Sequence, residues 1–393
     1  MVGKFIPLSI PNFEGNEEKY VVDAIASTFV STVGGYVKQM EEMLACFLNV
    51  PNVAVCQSGT SALHLSLVEA GVKPGDVVIV PPLTFIAAVN PVKYQFATPV
   101  FIDCDDSLCL DPIKLHSFCE EECEWNGEIL SYKGATVKVI VVVHVFGNMA
   151  DMESIMDTAQ KYNLKVVEDA TEALGTKYTT GKYRDRYAGT IGDFGCYSFN
   201  GNKIITTGGG GAVTSNDPET VNHLRFLSTQ AKTDSHYYIH DEIGYNYRMT
   251  NLQAALGVAQ MEKLPEFIRR KQKNYDLYKE LFYEFEYGKL MPFREGTDSN
   301  MWFYSLCINR KFIKTSMKDI VVALRKKGIE TRPIWGLINE QKPYEGEVTY
   351  KLEKAPYYAH RILNIPSTTQ ITKDEIKYVV NEVQALLRSL VNG

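Results

Sequence analysis

The stretch VKVIVVVHVFG, residues 137 to 147, limits this chain more than any other. An unbroken run of β-branched residues suits a strand covered on both faces, the usual state in a parallel sheet, and not a strand with one wet face. Asp151 then opens a helix, DMESIMDTAQKYN, and a second apolar run, LKVVED, ends at Asp169. Earlier, SGTSALHLSLVEAG reads as a helix that starts at Ser58 to Ser61, shows an apolar face through Leu63 and Leu67 and stops at Gly71. KPGD turns that helix into a buried strand, VVIVPP, residues 77 to 82. Strand and helix in alternation predict a doubly wound α/β domain, its mostly parallel sheet flanked by crossover helices.

At 393 residues the chain exceeds the usual single core. After NLQAALGVAQMEKLP the alternation gives way to helical segments rich in charge and aromatics. The expected division is a large domain over 15–250 and a smaller C-terminal α+β domain over 251–393, with residues 1–14 packing on the latter. The capping box TKDE, Thr372 to Glu375, announces a last helix.

A net charge of -6 provides no general attraction for nucleic acid or an anionic membrane, and neither is expected as a partner. The opening residues lack the apolar core of a signal peptide and no stretch is long enough to span a bilayer, so a cytoplasmic protein is expected. Eight scattered cysteines then read as free thiols, and CEEEC at 119 to 123 lacks a second ligand pair, so no metal is expected.

In open parallel sheets ligands sit beyond the carboxyl ends of the strands. Three stretches there carry chemistry. Ser58-Gly59-Thr60-Ser61 offers hydroxyls and backbone N–H groups at a helix N-terminus, which suits an anion as well as it suits an ordinary cap. Asp169 emerges from an apolar strand. Lys203 lies in FNGNKIITTGGGG, whose glycines precede the strand-like AVTS and so serve close backbone approach better than a linker. Each alone has a bland reading. Together, an anion cradle, a carboxylate and a lysine match the needs of pyridoxal phosphate: an anchor, a partner for the ring nitrogen and an amine for its aldehyde.

With these motifs the chain resembles the sugar aminotransferases of the DegT/DnrJ/EryC1/StrS family. The resemblance runs from FIPLSIPNFEGNEE through SGTSALHLSL, PPLTFIAAVNPV, HVFGNMADM, VVEDATEALGTKY, GDFGCYSFNGNKIITTGGGGAV and GYNYRMTNLQAALG to IETRPIW, nearly the whole chain. It implies the fold type I of pyridoxal 5'-phosphate-dependent transferases, with Lys203 forming the internal aldimine and Asp169 pairing with the ring nitrogen. It further implies that Gly59, Thr60 and Ser61 hold the phosphate, that Ser198 is its side-chain ligand and that Phe85 stacks on the ring. Asn246 matches a residue that reaches the phosphate from the partner subunit of a homodimer. Glu172 stands beside the ring hydroxyl, where many relatives have glutamine; a carboxylate there is protonated, hydrogen-bonded elsewhere or the mark of a subgroup. Arg332 is expected to touch substrate, and His144 either does so or has a structural role.

The implied reaction moves an amino group from L-glutamate, through pyridoxamine phosphate, to C4 of a nucleotide-linked 4-keto-6-deoxy sugar. The inserted FCEEECEWNGEILSYKG and the segment HDEIGYNYRM resemble the legionaminic acid pathway aminotransferases, which implies UDP-2-acetamido-2,6-dideoxy-hexos-4-ulose as substrate. GDP- and dTDP-linked sugars are the alternatives, and Asn339 in WGLINEQKPY departs from the histidine commoner there. Two further readings are disfavoured. Sugar dehydratases of the superfamily carry histidine at the lysine position, and a noncatalytic nucleotide-sugar binder would not need Lys203, Asp169 and Ser198 together.

Overall fold

The structure is a computed structural model that describes residues 5–234 and 236–391. Its main sheet has ten strands, eight of them in the order Asn52–Cys56, Gly211–Ser215, Phe194–Ser198, Lys165–Asp169, Ala135–Val143, Val77–Val80, Thr98–Ile102 and Val348–Tyr350. Gly211–Ser215 runs antiparallel to both neighbours, and from Phe194–Ser198 onward every pairing is parallel. The remaining two, Glu124–Trp125 and Leu130–Tyr132, form a hairpin that pairs with the N-terminal end of Ala135–Val143 and come from the inserted acidic stretch. This is the expected α/β architecture, and the central strands are buried over most of their length, as their β-branched composition requires.

Two expected strands are shorter than their apolar runs. The one read over 137 to 147 ends at Val143, because a turn over Val145–Gly147 follows, with Phe146 at φ 57° and Gly147 at φ 90°. A Cβ on Gly147 would lie 2.0 Å from Asn300 Oδ1, so the chain bends where another segment comes close. The strand read over 77 to 82 ends at Val80, before two prolines that cannot donate to a ladder.

A second apolar cluster surrounds a four-stranded antiparallel sheet, in the order Gly288–Leu290, Tyr304–Ile308, Ile362–Ile365 and Arg332–Pro333. The helix Asn251–Leu281 joins both clusters. Ala254, Val258, Leu264 and Phe267 belong to the large core, and Tyr275 and Tyr278 to the small one. The division expected at 250/251 falls on the helix cap Thr250, and the apolar clusters part midway along the helix. Residues Ile334 to Tyr358 also contribute to the large core, and Val348–Tyr350 completes its sheet. The N-terminal segment runs along the seam. Ile6 packs in the small cluster and bonds to Gly328 and Glu330, while Leu8 packs in the large one and accepts the Ser367 N–H at 2.8 Å. Among the described residues no helix is long and apolar enough to cross a membrane.

Candidate active site

A cavity of about 510 Å³ opens at the carboxyl ends of the parallel strands, walled by Val143, Asp169 and Ser198 from three strand ends and by the start of the helix Gly59–Glu69. That helix begins where the sequence signals it. Ser58 is extended and its Oγ accepts the Ser61 N–H at 3.0 Å. Ser61 Oγ lies 2.8 Å from the same atom. Of the three residues expected to hold a phosphate, Gly59 and Thr60 line the cavity together with Ser58, and Ser61 is engaged in the cap. The first-turn N–H groups of a helix have no intrahelical partner and carry the positive end of its dipole.

Gly59 is glycine for reasons of space. A Cβ there would stand 2.9 Å from Ser198 Cβ and 3.0 Å from Thr171 Cγ2, filling the hollow between the helix start and Ser198. Gly211 allows its strand to pass the same loop, since a Cβ there would stand 2.4 Å from the Ser58 carbonyl oxygen. The glycine run thus permits close approach.

Lys203 is not a solvated surface lysine: its side chain is 13% exposed. The turn that carries it is closed by the Lys203 N–H on Asn200 O at 3.0 Å and by the Trp302 indole N–H on Asn202 O at 2.8 Å. Nζ lies 4.2 Å from the Trp302 ring centroid and 3.4 Å from Glu172 Oε1. Glu172 Oε2 accepts the Phe146 N–H at 2.8 Å, which ties this carboxylate to the turn after Val143. Asp169 accepts the Thr171 N–H at 3.1 Å. Burial pushes both carboxyls above their ordinary range, opposed by the Thr171 bonds at Asp169 and by the Lys203 charge at Glu172. Such a pair, facing one lysine inside a cavity, can hold a cationic heterocycle and manage protons.

His144 turns the other way. It is fully buried, its Nε2 lies 2.9 Å from Glu168 Oε2, and its Nδ1 accepts the Ala150 N–H at 3.2 Å. Glu168 also accepts N–H bonds from Gly189, Ile191 and Gly192. Pleat alternation explains this: Val143 and Asp169 are register partners facing the cavity, so the residues beside them face away. The substrate-contact option for His144 is corrected to a structural one. Phe85, 55% exposed, and Arg332, half-paired with Glu330 at 3.3 Å, do line the cavity. Asn246 lies outside it, bridged to Thr229. Sequence reading missed Asn202, the neighbour of Lys203, and Trp302, Trp335 and the strap residues Leu8 and Ser9, which arrive from distant parts of the chain.

The sequence profile of the DegT/DnrJ/EryC1/StrS aminotransferase family matches residues 11–384. The chain belongs to this family. It is 34% identical over 392 residues to the putative pyridoxal phosphate-dependent aminotransferase EpsN of Bacillus subtilis, covering 98% of this chain and 97% of EpsN. It is also 34% identical to the GDP-perosamine synthase of Caulobacter vibrioides, over 97% of this chain and 98% of that enzyme. Among solved structures, Helicobacter pylori PseC shares the fold with a TM-score of 0.88 at 24% identity, over 98% of this chain and all of that one. A member of the DegT/DnrJ/EryC1/StrS family is an aminotransferase that uses pyridoxal 5'-phosphate, and the cavity fits that group. The hollow that a Cβ on Gly59 would fill lies at a helix start beside the Ser198 hydroxyl, which suits the phosphate. Asp169 offers a buried carboxylate for a protonated ring nitrogen, and Lys203 the amine.

Proposed function

We propose that this enzyme transfers an amino group from L-glutamate to C4 of a nucleotide-linked 4-keto-6-deoxy sugar. The observation that carries the reading is the meeting of Lys203, Asp169 and the Gly59 cradle in one cavity, in a chain whose residues 11–384 match the family. When bound, the cofactor supplies an electron sink that stabilises the carbanion left by the donor's α-proton. Asp169 keeps the ring nitrogen protonated, and Gly59, Thr60 and Ser198 fix the phosphate end. Lys203 Nζ, when not bonded to a carbonyl, would carry a proton from the α-carbon of the amino donor to the cofactor's aldehyde carbon, and in the second half-reaction from that carbon to C4 of the sugar. Trp302 beneath Nζ limits the directions from which that amine can swing.

For the substrate, the resemblance to legionaminic acid pathway enzymes supports UDP-2-acetamido-2,6-dideoxy-hexos-4-ulose. A second reading, a GDP-linked 4-keto-6-deoxy sugar, is favoured by the likeness to GDP-perosamine synthase. Arg332, at the exposed mouth, is the proposed contact for the anionic carrier. Two cavities in a homodimer belong to the same proposal, with Asn246 entering from the partner. Eight free cysteines accord with a cytoplasmic setting. The purified enzyme, given glutamate and a panel of UDP-, GDP- and dTDP-linked 4-keto-6-deoxy sugars, should aminate one carrier class, with products read by NMR. Turnover of none would end the sugar reading.

A further inference from the structure

Within the cavity the two buried carboxylates have different partners. Asp169 is held by Thr171, whereas Glu172 reaches the lysine, with Oε1 3.4 Å from Nζ. Three features aim Glu172. Its Oε2 accepts the Phe146 N–H, its own carbonyl accepts the Asn300 side-chain amide at 3.0 Å, and Phe146 sits at φ 57°, a conformation that fixes where its N–H points. Glu172 is 4% exposed at the side chain and Lys203 13%, so water does not replace the contact.

We propose that Glu172 is the base that frees the Lys203 amine, taking the ammonium proton on Oε1 before Nζ adds to an aldehyde carbonyl. The inference rests on the family reading in which Lys203 condenses with the cofactor aldehyde. An ammonium has no lone pair to add to a carbonyl. Transfer breaks an N–H bond and forms an O–H bond, the amine keeps the electron pair, and the net charge of the cavity is unchanged. Nζ then bonds to the carbonyl carbon, and the carbonyl oxygen leaves as water after receiving one proton from Nζ and one from Glu172. The nitrogen ends as a protonated imine and Glu172 as a carboxylate again. Burial, which pushes the Glu172 carboxyl up, brings its basicity nearer to that of the amine. The charged groups that face Glu172 are Lys203 and Asp169. The Phe146 amide and the Trp302 ring, which complete the surroundings of the pair, do not titrate.

The test uses the full chain freed of cofactor, with formaldehyde and cyanoborohydride as the probe. Methylation of the Lys203 peptide is measured by mass spectrometry from about pH 6 to 9, relative to exposed Lys38 in the same digest. An exposed lysine gains about tenfold in neutral amine per pH unit below its pKa. The neutral pair, amine with carboxylic acid, has the same proton count as the ion pair, so its share is constant while the pair holds one proton; once that proton is lost the amine gains like any other lysine. In the unaltered protein the Lys203:Lys38 ratio should therefore fall as pH rises from the acid end and then level off, and in Glu172→Gln it should hold steady throughout. A steady ratio in the unaltered protein overturns the proposal whether or not the variant folds. A falling ratio in Glu172→Gln gives the proton to another group and overturns it as well. Failure of the cofactor reading would show separately, as loss of the absorption band of the loaded protein, which the formaldehyde profile does not involve.

Discussion

Gly59 occupies a place where one carbon changes the site. In Gly59→Ala the new Cβ would press on Ser198 Cβ and Thr171 Cγ2, and overpacking of this kind costs about 1–3 kcal/mol. Because the strain falls on the phosphate cradle, the cofactor Kd should rise about tenfold or more. Absorbance titration of the stripped protein would measure it, and an unchanged Kd would place the phosphate elsewhere. Lys203→Ala should remove turnover with the melting temperature nearly kept, and activity near the parental rate would dismiss the lysine. Asp169→Asn should still bind cofactor, since the phosphate contacts remain, but lose about 10²–10⁴-fold in kcat. An unaltered kcat would take Asp169 away from the ring nitrogen. Lys203 and Asp169 were legible because each stands beside an apolar run whose end locates the sheet edge. His144 was not, since pleat alternation decides its side and an all-apolar run does not show which of its alternate residues face the site. Trp302 gave no local signal: it meets Lys203 only when the segment after the long helix folds back.

The helix Asn251–Leu281 explains what pattern reading could and could not see. Its start is capped reciprocally by Thr250 and Gln253, a signal the sequence reading did not use, and its double allegiance depends on which neighbours arrive later. Near its middle Lys271 is buried, with Nζ donating to Trp302 O at 2.8 Å and to Ser367 O at 2.6 Å. Burial pulls this amine down to about 7. In the unfolded chain it stays protonated to about 10.4. Between these values the unfolded state binds more protons, so stability rises with pH through this window. Below about 7 both states carry the charge, and the destabilising contribution is constant. In Lys271→Met, stability from denaturant titrations at about pH 7 to 9 should climb less steeply, by up to about 1.4 kcal/mol per pH unit. Equal slopes would mean that Nζ keeps its ordinary proton affinity in the folded state.

At the scale of the assembled molecule, shared sites make a mixing prediction. If Asn246 completes the partner's cavity, Lys203→Ala and Asn246→Ala subunits, each impaired alone, should regain activity as they exchange. A mixed dimer then has one site with both defects and one with neither, so up to about half of the parental specific activity per mixed dimer should return. Verified exchange without recovery would sink the shared site. The α/β class was legible across the chain because it rests on many short local signals, whereas the closing strand Val348–Tyr350 gave little, being three residues at a sheet edge. That strand has a consequence for the order of synthesis. Its partner Thr98–Ile102 leaves the ribosome long before residue 348 of 393 does, and until then its outer edge has no hydrogen-bonding neighbour. Open edges recruit other chains, so nascent or truncated forms ending near residue 250 should be chaperone clients and aggregate when expressed alone. Chimaeras built from two relatives would need to exchange this late strand together with the early one it covers.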